Sequence, residues 1–379
     1  MDDRSSDSAG FMTAIYEVDG PEPRARATAE RICFDQTIEA EKDLLPSLLQ
    51  SAILGHLDGL RPISGGRYEA TIRYRGELIG ADCSDLLNIL YGTSSLRGDV
   101  KLLSFTMTKE RLSFWRGPRF GIDGLRKAVG VVGRPLLCGV LKPLGRSPQA
   151  LAQLAAQFVE GGVDVIKDDQ GLVDQRWAPF EERVARCADA IGRASQRRGR
   201  PCLYLAHVSG AWDVMRRRAI YAKTVGATGL LIAPGLTGFD SLRTLCADDA
   251  LILPMACHPA LLGAAVGDCR SGLAPAALYG LLPRLAGADI TIYPAFGSDF
   301  LMSPPECMSV AASCRQSWGQ LRSTMPAVGG RIGADRLTEL STFLGCDTLF
   351  VLGSRLQKEP DGMAQAIQTL HRVLANSFR

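Results

Sequence analysis

Residues 135–169 read PLLCGVLKPLGRSPQALAQLAAQFVEGGVDVIKDD, and this stretch decides the fold. A short apolar run at residues 136–141 is followed by a helix-like segment at 148–160 and a second short apolar run at 164–167. Short continuous apolar runs bounded by turn residues are typical of strands that are buried on both faces. The stretch therefore predicts a strand–helix–strand unit of a parallel sheet.

The same alternation continues to the end of the chain. Further strands are predicted at residues 202–207, 229–233, 251–256, 290–293, 325–328 and 348–352. Further helices are predicted at residues 180–197, 211–225, 239–245, 275–285, 305–317, 334–344 and 363–375. Eight strands in strict alternation with eight helices predict a (β/α)₈ barrel of the TIM type. A doubly wound open sheet is disfavoured, because no glycine-rich dinucleotide loop follows the first strand.

The chain before the barrel has a different texture. Residues 1–10 are polar and are predicted to be disordered. Strand-like and helix-like segments then mix, which favours a small N-terminal α+β domain at residues 11–118. Gly117-Pro118 reads as a break, so the barrel domain is predicted to span residues 119–379. The fold class is α/β, with a C-terminal barrel and a small N-terminal α+β domain.

Composition excludes several classes of protein. The chain has 379 residues, and its 43 basic and 40 acidic residues give a net charge of +3. That balance gives no reason to expect nucleic acid or a membrane surface as a partner. The eleven cysteines include no CxxC pair, which indicates neither a zinc site nor a disulfide framework. With no signal peptide and no membrane-spanning run, a cytoplasmic protein is expected.

Polar residues at the carboxyl ends of barrel strands face the active site. The first two predicted strands end in Lys142 and Lys167, the third ends in His207, and the fifth is followed by His258. A lysine at a strand end can be a solvated rim residue, and a lone histidine can be a satisfied core residue. Two lysines that each follow an apolar run favour chemistry instead. Lys142, His258 and His207 are therefore the predicted catalytic residues.

Glycines follow the last two predicted strands. Gly329-Gly330 follows the seventh strand, and Gly353-Ser354 follows the eighth. Barrel enzymes often bind phosphate on the loops after these two strands, where glycine lets the backbone approach the anion. Glycine pairs also occur in ordinary turns, and it is their position that predicts a phosphate site at Gly329, Gly330, Gly353 and Ser354.

Several of these segments resemble one family. Residues 161–169, GGVDVIKDD, resemble the RuBisCO superfamily signature around the activating lysine. Lys142-Pro143 resembles that family's first-strand motif, and residues 256–259, ACHP, match a histidine that RuBisCO-like proteins share. The resemblance extends from Tyr16 to the last helix. It identifies the chain as similar to the RuBisCO-like proteins, the form IV branch of the RuBisCO large-chain family.

The resemblance implies a metal site. In RuBisCO the signature lysine becomes a carbamate that binds Mg²⁺ together with a following Asp and Glu. By resemblance Lys167 is the carbamylated residue, Asp169 is a metal ligand, and Gln170 stands where the family has Glu. Mg²⁺ prefers carboxylate ligands, so the loss of one negative charge is expected to weaken metal binding.

The resemblance also implies what the chain does not do. RuBisCO has a second lysine after the first-strand proline, and this chain reads Lys-Pro-Leu-Gly there. No lysine occurs between Lys223 and Lys358, so the loop after the sixth strand cannot stabilise a carboxylated intermediate. The resemblance then implies an enzyme without carboxylase activity that forms a homodimer or a higher homo-oligomer. It would form an enolate or enediolate from a phosphorylated sugar-derived substrate, as an enolase, isomerase or decarboxylase.

Two other functions stay open at this point. A metal-independent or non-catalytic protein that binds a phosphorylated metabolite would explain Gln170 and the missing lysines. An unrelated barrel aldolase would use Lys142 or Lys167 as a Schiff base. Mg²⁺-dependent ligand binding would argue against the first alternative, and borohydride trapping with a carbonyl substrate would reveal the second.

Overall fold

The computed structural model describes residues 10–40, 44–300, 302–330, 332–359 and 362–378. The chain begins with a mainly antiparallel sheet. Its first four strands are β1 (Phe11–Asp19), β2 (His56–Ile63), β3 (Arg67–Arg75) and β4 (Val100–Met107). The helices α1 (Glu22–Asp35), α2 (Ser47–Ile53) and α3 (Cys83–Tyr91) complete this unit. Apart from Gly10, the disorder predicted for residues 1–10 lies outside the described residues.

The central strand of this sheet explains how the N-terminal unit packs. Strand β1 alternates buried and half-buried residues, and its Tyr16 is completely buried. The Tyr16 hydroxyl donates to the carbonyl of Leu90, at 2.6 Å, and therefore satisfies its polar group inside the core. Ile32 of α1 lies in the same core. The predicted α+β character of this unit is confirmed.

The C-terminal part is a closed barrel of parallel strands. Its strands are β5 (Leu136–Leu141), β6 (Val165–Asp168), β7 (Leu203–His207), β8 (Gly229–Ile232), β9 (Met255–Cys257), β11 (Ile290–Pro294), β12 (Met325–Gly329) and β13 (Leu349–Leu352), and the two-residue β10 (Gly272–Leu273) lies outside the barrel. Neighbouring strands follow the chain order, and β13 pairs with β5 to close the ring. The predicted barrel is confirmed, with all eight strands where the apolar runs lie.

Helices precede, connect and follow the barrel strands. They are α4 (Lys109–Leu112), α5 (Gly121–Val129), α6 (Pro148–Gly161), α7 (Phe180–Arg198), α8 (Trp212–Thr224), α9 (Pro234–Thr237), α10 (Phe239–Ala247), α11 (Leu282–Leu285), α12 (Pro304–Arg315), α13 (Ala334–Leu344) and α14 (Met363–Ser377). Helix α6 illustrates why they form where they do. Ser147 caps its first turn by accepting from the Ala150 amide, at 3.2 Å, and Pro148 occupies the first helical position. Gly162, at φ 111°, ends the helix in the left-handed conformation.

The two parts of the chain contact each other through specific polar groups. Strand β10 comes from the barrel part and pairs in parallel with β4 of the N-terminal sheet. The Asp240 carboxylate of α10 accepts the amides of Cys83 and Ser84 at the start of α3, at 2.9 and 2.8 Å. The predicted boundary between residues 118 and 119 stays a prediction.

Some elements differ from what the sequence indicates. Strand β2, which begins at His56, is an edge strand whose HLDGLRPI sequence lacks the alternation of a half-buried strand. The helix predicted at residues 275–285 is a π-helix at Ala276–Leu281 followed by α11. The fifth barrel strand begins at Met255 rather than at residue 251, and residues 252–254 form no strand. Within the described part of the chain, all eleven cysteines are free and no helix is long and apolar enough to cross a membrane.

Candidate active site

The carboxyl ends of the barrel strands surround one opening of the barrel, here called the mouth, and inward side chains of several strands lie there. Every second residue of each strand contributes to a cluster that fills the barrel interior, such as Val165 in β6 and Leu205 in β7. Continuing this period of two toward the carboxyl ends brings the predicted site residues to the mouth. These residues are Lys142, Lys167, Asp169, His207 and His258.

Lys167 lies deepest in this group. It is only 2% exposed, and its Nζ donates to the Asp168 carbonyl, at 2.9 Å. Burial lowers the pKa of the Lys167 amine, although Asp169 opposes that change. A buried amine of lowered pKa is neutral more often than a surface lysine, and the neutral form is the one that can take up CO₂ or accept a proton.

Lys142 and Asp169 form an ion pair at the rim. Lys142 Nζ lies 3.7 Å from Asp169 Oδ1, with side chains 32% and 13% exposed. Because this pair is partly solvated, it orients the two groups rather than adding much stability. The pair sets a cation beside the only site carboxylate that faces the mouth in the described residues.

His258 is held in one tautomer. Its Nδ1 accepts the amide of Ala260, at 3.1 Å, so the proton of the neutral ring is on Nε2. Burial and the nearby positive charge of Lys167 lower the pKa of His258 to about 2. The ring is therefore neutral at physiological pH, and its Nε2–H is a hydrogen-bond donor rather than a base.

His207 is completely buried and linked to its neighbours. Its Nε2 lies 2.8 Å from Ser209 Oγ, which also accepts the Ala233 amide, at 2.9 Å. That hydroxyl can either donate to Nε2 or accept from it, and Nδ1 is buried without a hydrogen-bond partner among the described residues. Burial, followed by the charge of Lys167, lowers the pKa of His207 to about 3. The proton-transfer role predicted for His207 stays a prediction.

Both histidines should make folding stability depend on pH. Their pKa values are about 3 and 2 in the folded chain, against 6.5 as the ordinary value. The unfolded chain therefore binds more protons below pH 6.5, and stability should fall between about pH 6.5 and 3. The expected loss is on the order of 2 kcal/mol for each histidine between pH 6.5 and 5.

Denaturant unfolding at pH 7, 6 and 5 checks this expectation. His258→Gln should give a flatter dependence than the wild-type chain, because Gln does not titrate. Equal slopes in the two proteins would contradict the lowered pKa of His258.

The glycines predicted to bind phosphate lie at the adjacent strand ends. Gly329 is the last residue of β12, and Gly330 has φ 126°, a conformation that side chains rarely adopt. A Cβ at Gly330 would lie 2.7 Å from that of Ser298, so the loop after β11 closes on this glycine. Gly353 has open space beside it, and Ser354 is exposed. The glycine backbone is therefore open at Gly353, on the strand that pairs with β5, and covered by Ser298 at Gly330.

The predicted metal ligands fit Mg²⁺ only in part. The described residues contain no group of three or more Asp, Glu, His or Cys side chains arranged for a metal. Asp169 supplies one inward carboxylate, and Lys167 would supply a second only as a carbamate. Gln170 is exposed beyond the end of β6. Two of the three expected ligands face the mouth, and the third offers a neutral oxygen from the rim.

Two polar contacts near the site were not predicted. Asp168 points away from the mouth and pairs with Arg183 of α7, at 3.4 Å. Gln357, in the short helix Ser354–Lys358, donates to the Lys142 carbonyl, at 3.0 Å, and accepts from Arg146, at 2.9 Å. The inward–outward alternation of β6 would have placed Asp168, whereas no local pattern points to Gln357.

Sequence relatives match nearly the whole length of this chain. The family model for the ribulose bisphosphate carboxylase large chain, catalytic domain, matches residues 121–298. Ribulose bisphosphate carboxylase-like protein 1 of Rhodopseudomonas palustris is 34% identical over 92% of this chain and 94% of its own. The 5-methylthioribulose-1-phosphate isomerase of Rhodospirillum rubrum is 31% identical over 93% of both chains. The 2,3-diketo-5-methylthiopentyl-1-phosphate enolase of Exiguobacterium sibiricum is 28% identical over 96% of this chain and 92% of its own.

A solved structure agrees with these relatives. The crystal structure of a Rubisco-like protein from Rhodopseudomonas palustris superposes with a TM-score of 0.89, at 31% identity, over 98% of this chain and 99% of that one. Identity at this level along nearly the full length, together with the shared two-part fold, leaves no competing fold family. The chain belongs to the RuBisCO-like proteins, the form IV branch of the RuBisCO large-chain family.

Proposed function

We propose that this chain is an enzyme that forms an enolate or enediolate from a phosphorylated sugar-derived substrate, without carboxylating it. The observation that supports the proposal is that Lys142, Lys167 and His258 lie at the carboxyl ends of barrel strands, as do the glycine backbones that follow β12 and β13. A phosphate on those backbones would leave the carbonyl end of the substrate among the lysines. An isomerase reaction comes first, because the isomerase of Rhodospirillum rubrum is among the relatives of highest identity.

The chain's own groups meet the demands of such a reaction. When a proton leaves the carbon next to a carbonyl, the carbonyl oxygen becomes negative and needs donors or cations. His258 supplies a neutral Nε2–H donor, which can bind that oxygen without giving up its proton. Lys142 acts either as the base or as a cation beside the oxygen, and its Nζ lies 3.7 Å from Asp169 Oδ1.

The family generally uses Mg²⁺, and we propose the same metal here with low affinity. Lys167, as a carbamate, and Asp169 would hold it, with the amide oxygen of Gln170 as a weak third ligand. Bound Mg²⁺ supplies positive charge to the developing oxyanion. The lowered pKa of Lys167 supports the carbamate, because CO₂ adds to the neutral amine.

We also propose a homodimer, supported by a ring of exposed apolar residues around the mouth. Six successive barrel loops each present one large apolar side chain that is between 42% and 70% exposed. These residues, the apolar rim, are Leu144, Trp177, Trp212, Leu236, Leu261 and Phe300. The N-terminal part exposes a second apolar group around α2, with Leu48 at 83%. Exposed apolar surface of this extent marks an interface, and a second copy would cover both groups.

Charged substitutions test the dimer. Leu236→Asp in the apolar rim should give a monomer of low activity, because a buried unpaired charge opposes association. Val132→Asp is the matched control, since Val132 is 85% exposed in the turn before β5, at the opposite end of the barrel. Analytical ultracentrifugation measures the mass. A Leu236→Asp protein that keeps the mass of the wild-type dimer would refute the apolar rim as the interface.

Deuterium exchange tests the proposed function most directly. The protein is incubated in D₂O with 5-methylthioribulose 1-phosphate, and proton NMR follows the signal of the hydrogen next to the carbonyl. Exchange or conversion is expected, and Lys142→Ala should abolish both. The substrate of the enolase relative is tested in the same way. Binding of these phosphates without exchange or turnover would favour the metabolite-binding alternative instead.

The eleven free cysteines support a reducing cytoplasm as the compartment.

A further inference from the structure

A buried ion pair lies on the outward side of β6, the strand that carries Lys167. Asp168 and Arg183 are both completely buried, and Asp168 Oδ2 lies 3.4 Å from the Arg183 guanidinium. Asp168 stands between Lys167 and Asp169 in sequence, yet it faces outward to α7 while they face the mouth. The proposed chemistry uses neither member of the pair.

The guanidinium holds the segment that carries the site residues. Residues 169–179, here called the β6 loop, connect β6 to α7. Arg183 donates to three carbonyls of this loop, those of Leu172, Val173 and Ala178, at 3.2, 3.0 and 3.0 Å. The carbonyls of a loop usually accept hydrogen bonds from water. In the β6 loop three carbonyls accept from one buried side chain instead, and these hydrogen bonds fix the conformation of the loop.

The carboxylate holds the neighbouring strand. Asp168 Oδ1 accepts the Tyr204 hydroxyl, at 3.0 Å, and Oδ2 accepts the backbone amide of His207, at 3.1 Å. Both donors belong to β7. The pair therefore links the end of β6, the β6 loop, α7 and the end of β7 through fully buried groups.

Stability alone is a poor reason for such a pair. Replacing a buried ion pair by apolar residues of similar volume is often neutral or stabilising, because burial of the charges costs so much. The pair instead fixes the relative positions of the segments that it joins, because a branched set of hydrogen bonds allows only one arrangement of them. Two of these segments, the ends of β6 and β7, carry residues of the candidate site.

We propose that Arg183 is a positioning residue, which acts through Asp168 and the β6 loop to hold Lys167 and Asp169 facing Lys142. Its effect on turnover rests on the proposed function, whereas its effect on the β6 loop does not. The inference concerns this loop and strand only, and it assigns Arg183 no contact with substrate.

Four variants test the proposal. Arg183→Met keeps the length of the side chain without its charge, and Arg183→Lys keeps the charge without the branched donors. Tyr204→Phe removes one hydrogen bond to Asp168 and preserves the core. Arg186→Met is the matched control, because Arg186 lies in the same helix but is exposed and paired with Glu182.

Two measurements are made on each full-length protein. Amide hydrogen exchange, resolved by peptide, should be at least about tenfold faster in the β6 loop of Arg183→Met while the other barrel strands stay protected. With 5-methylthioribulose 1-phosphate, kcat should fall about 100-fold with KM nearly unchanged. Arg183→Lys should recover only part of kcat, Tyr204→Phe should lose about fivefold, and Arg186→Met should match the wild type.

The outcomes separate positioning from general stability. Faster exchange spread evenly over the barrel would overturn the proposal and make Arg183 an ordinary structural residue. Unchanged exchange in the β6 loop, or an opened loop with full kcat, would overturn it as well. If Arg183→Met does not fold, Arg183→Lys and Tyr204→Phe decide by the same two criteria. If the wild type turns over no substrate, the proposed function fails, and the exchange pattern still decides whether Arg183 holds the loop.

Discussion

Lys142→Ala is expected to reduce turnover by about 10²–10⁴-fold, the usual contribution of a general acid or base. The Lys142 side chain lies beside Asp169 at the mouth, where Lys167 is the buried lysine of the same site. Its loss removes either the base or the cation at the developing oxyanion. Binding of inorganic phosphate should change little, because the glycine backbones do not depend on the Lys142 side chain.

Lys142→Arg separates the two roles of this residue. Arginine keeps a positive charge but does not release its proton at neutral pH. Turnover that survives in part in Lys142→Arg would assign the cation role, and turnover lost as fully as in Lys142→Ala would assign the base. Steady-state kinetics and calorimetry with inorganic phosphate provide the two readings. A loss of phosphate binding equal to the loss of turnover would show that Lys142 instead maintains the binding site.

Gln170→Glu is expected to tighten Mg²⁺ binding at least about tenfold, because changes even outside the first ligand shell alter metal affinity about 10–100-fold. The substitution restores a carboxylate where the chain has a neutral amide, and hard cations gain affinity with the charge of their ligands. Calorimetry with Mg²⁺ is done with and without bicarbonate. Bicarbonate should strengthen binding in both proteins, since the carbamate requires CO₂.

Two controls complete the metal experiment. Lys167→Ala should lose the bicarbonate effect entirely, because no amine is left to carbamylate. Gln170→Ala removes the amide oxygen without adding charge and should bind Mg²⁺ no better than the wild type. Absence of Mg²⁺ binding in every protein, Gln170→Glu included, would exclude the carbamate centre and favour metal-independent chemistry.

The barrel could be predicted from the sequence because buried parallel strands have a characteristic sequence pattern. Each barrel strand is surrounded by core on both faces, so its sequence is a short apolar run. Strand β2 left no such trace, since it lies at the sheet edge with much of its length exposed and contains Gly59 and Pro62. The π-helix at Ala276–Leu281 was equally hidden, because an apolar segment gives no sign of which helical hydrogen bonds it will form.

The candidate site could be predicted from the sequence only where the alternation along a single strand determines the direction of its side chains. Period-two alternation separates the inward Lys167 and Asp169 from the outward Asp168. The neutral state of His258 depends on an amide two residues away and on burial by other strands, which no local pattern reports. The contact between Gln357 and Lys142 joins residues 215 positions apart, so only the closed barrel brings them together.

That last contact has a consequence for attempts to change substrate preference by exchanging loops between family members. Gln357 belongs to the short helix that follows Gly353, and its side chain also donates a hydrogen bond to the carbonyl of Lys142. If Gly353 and Ser354 bind the substrate phosphate as proposed, a transplanted segment would bring its own phosphate contacts, and it would also shift Lys142 unless it kept an amide side chain that reaches the Lys142 carbonyl. Under the proposed function, phosphate binding and the chemistry of Lys142 would then change together, and a donor loop has to be chosen for both.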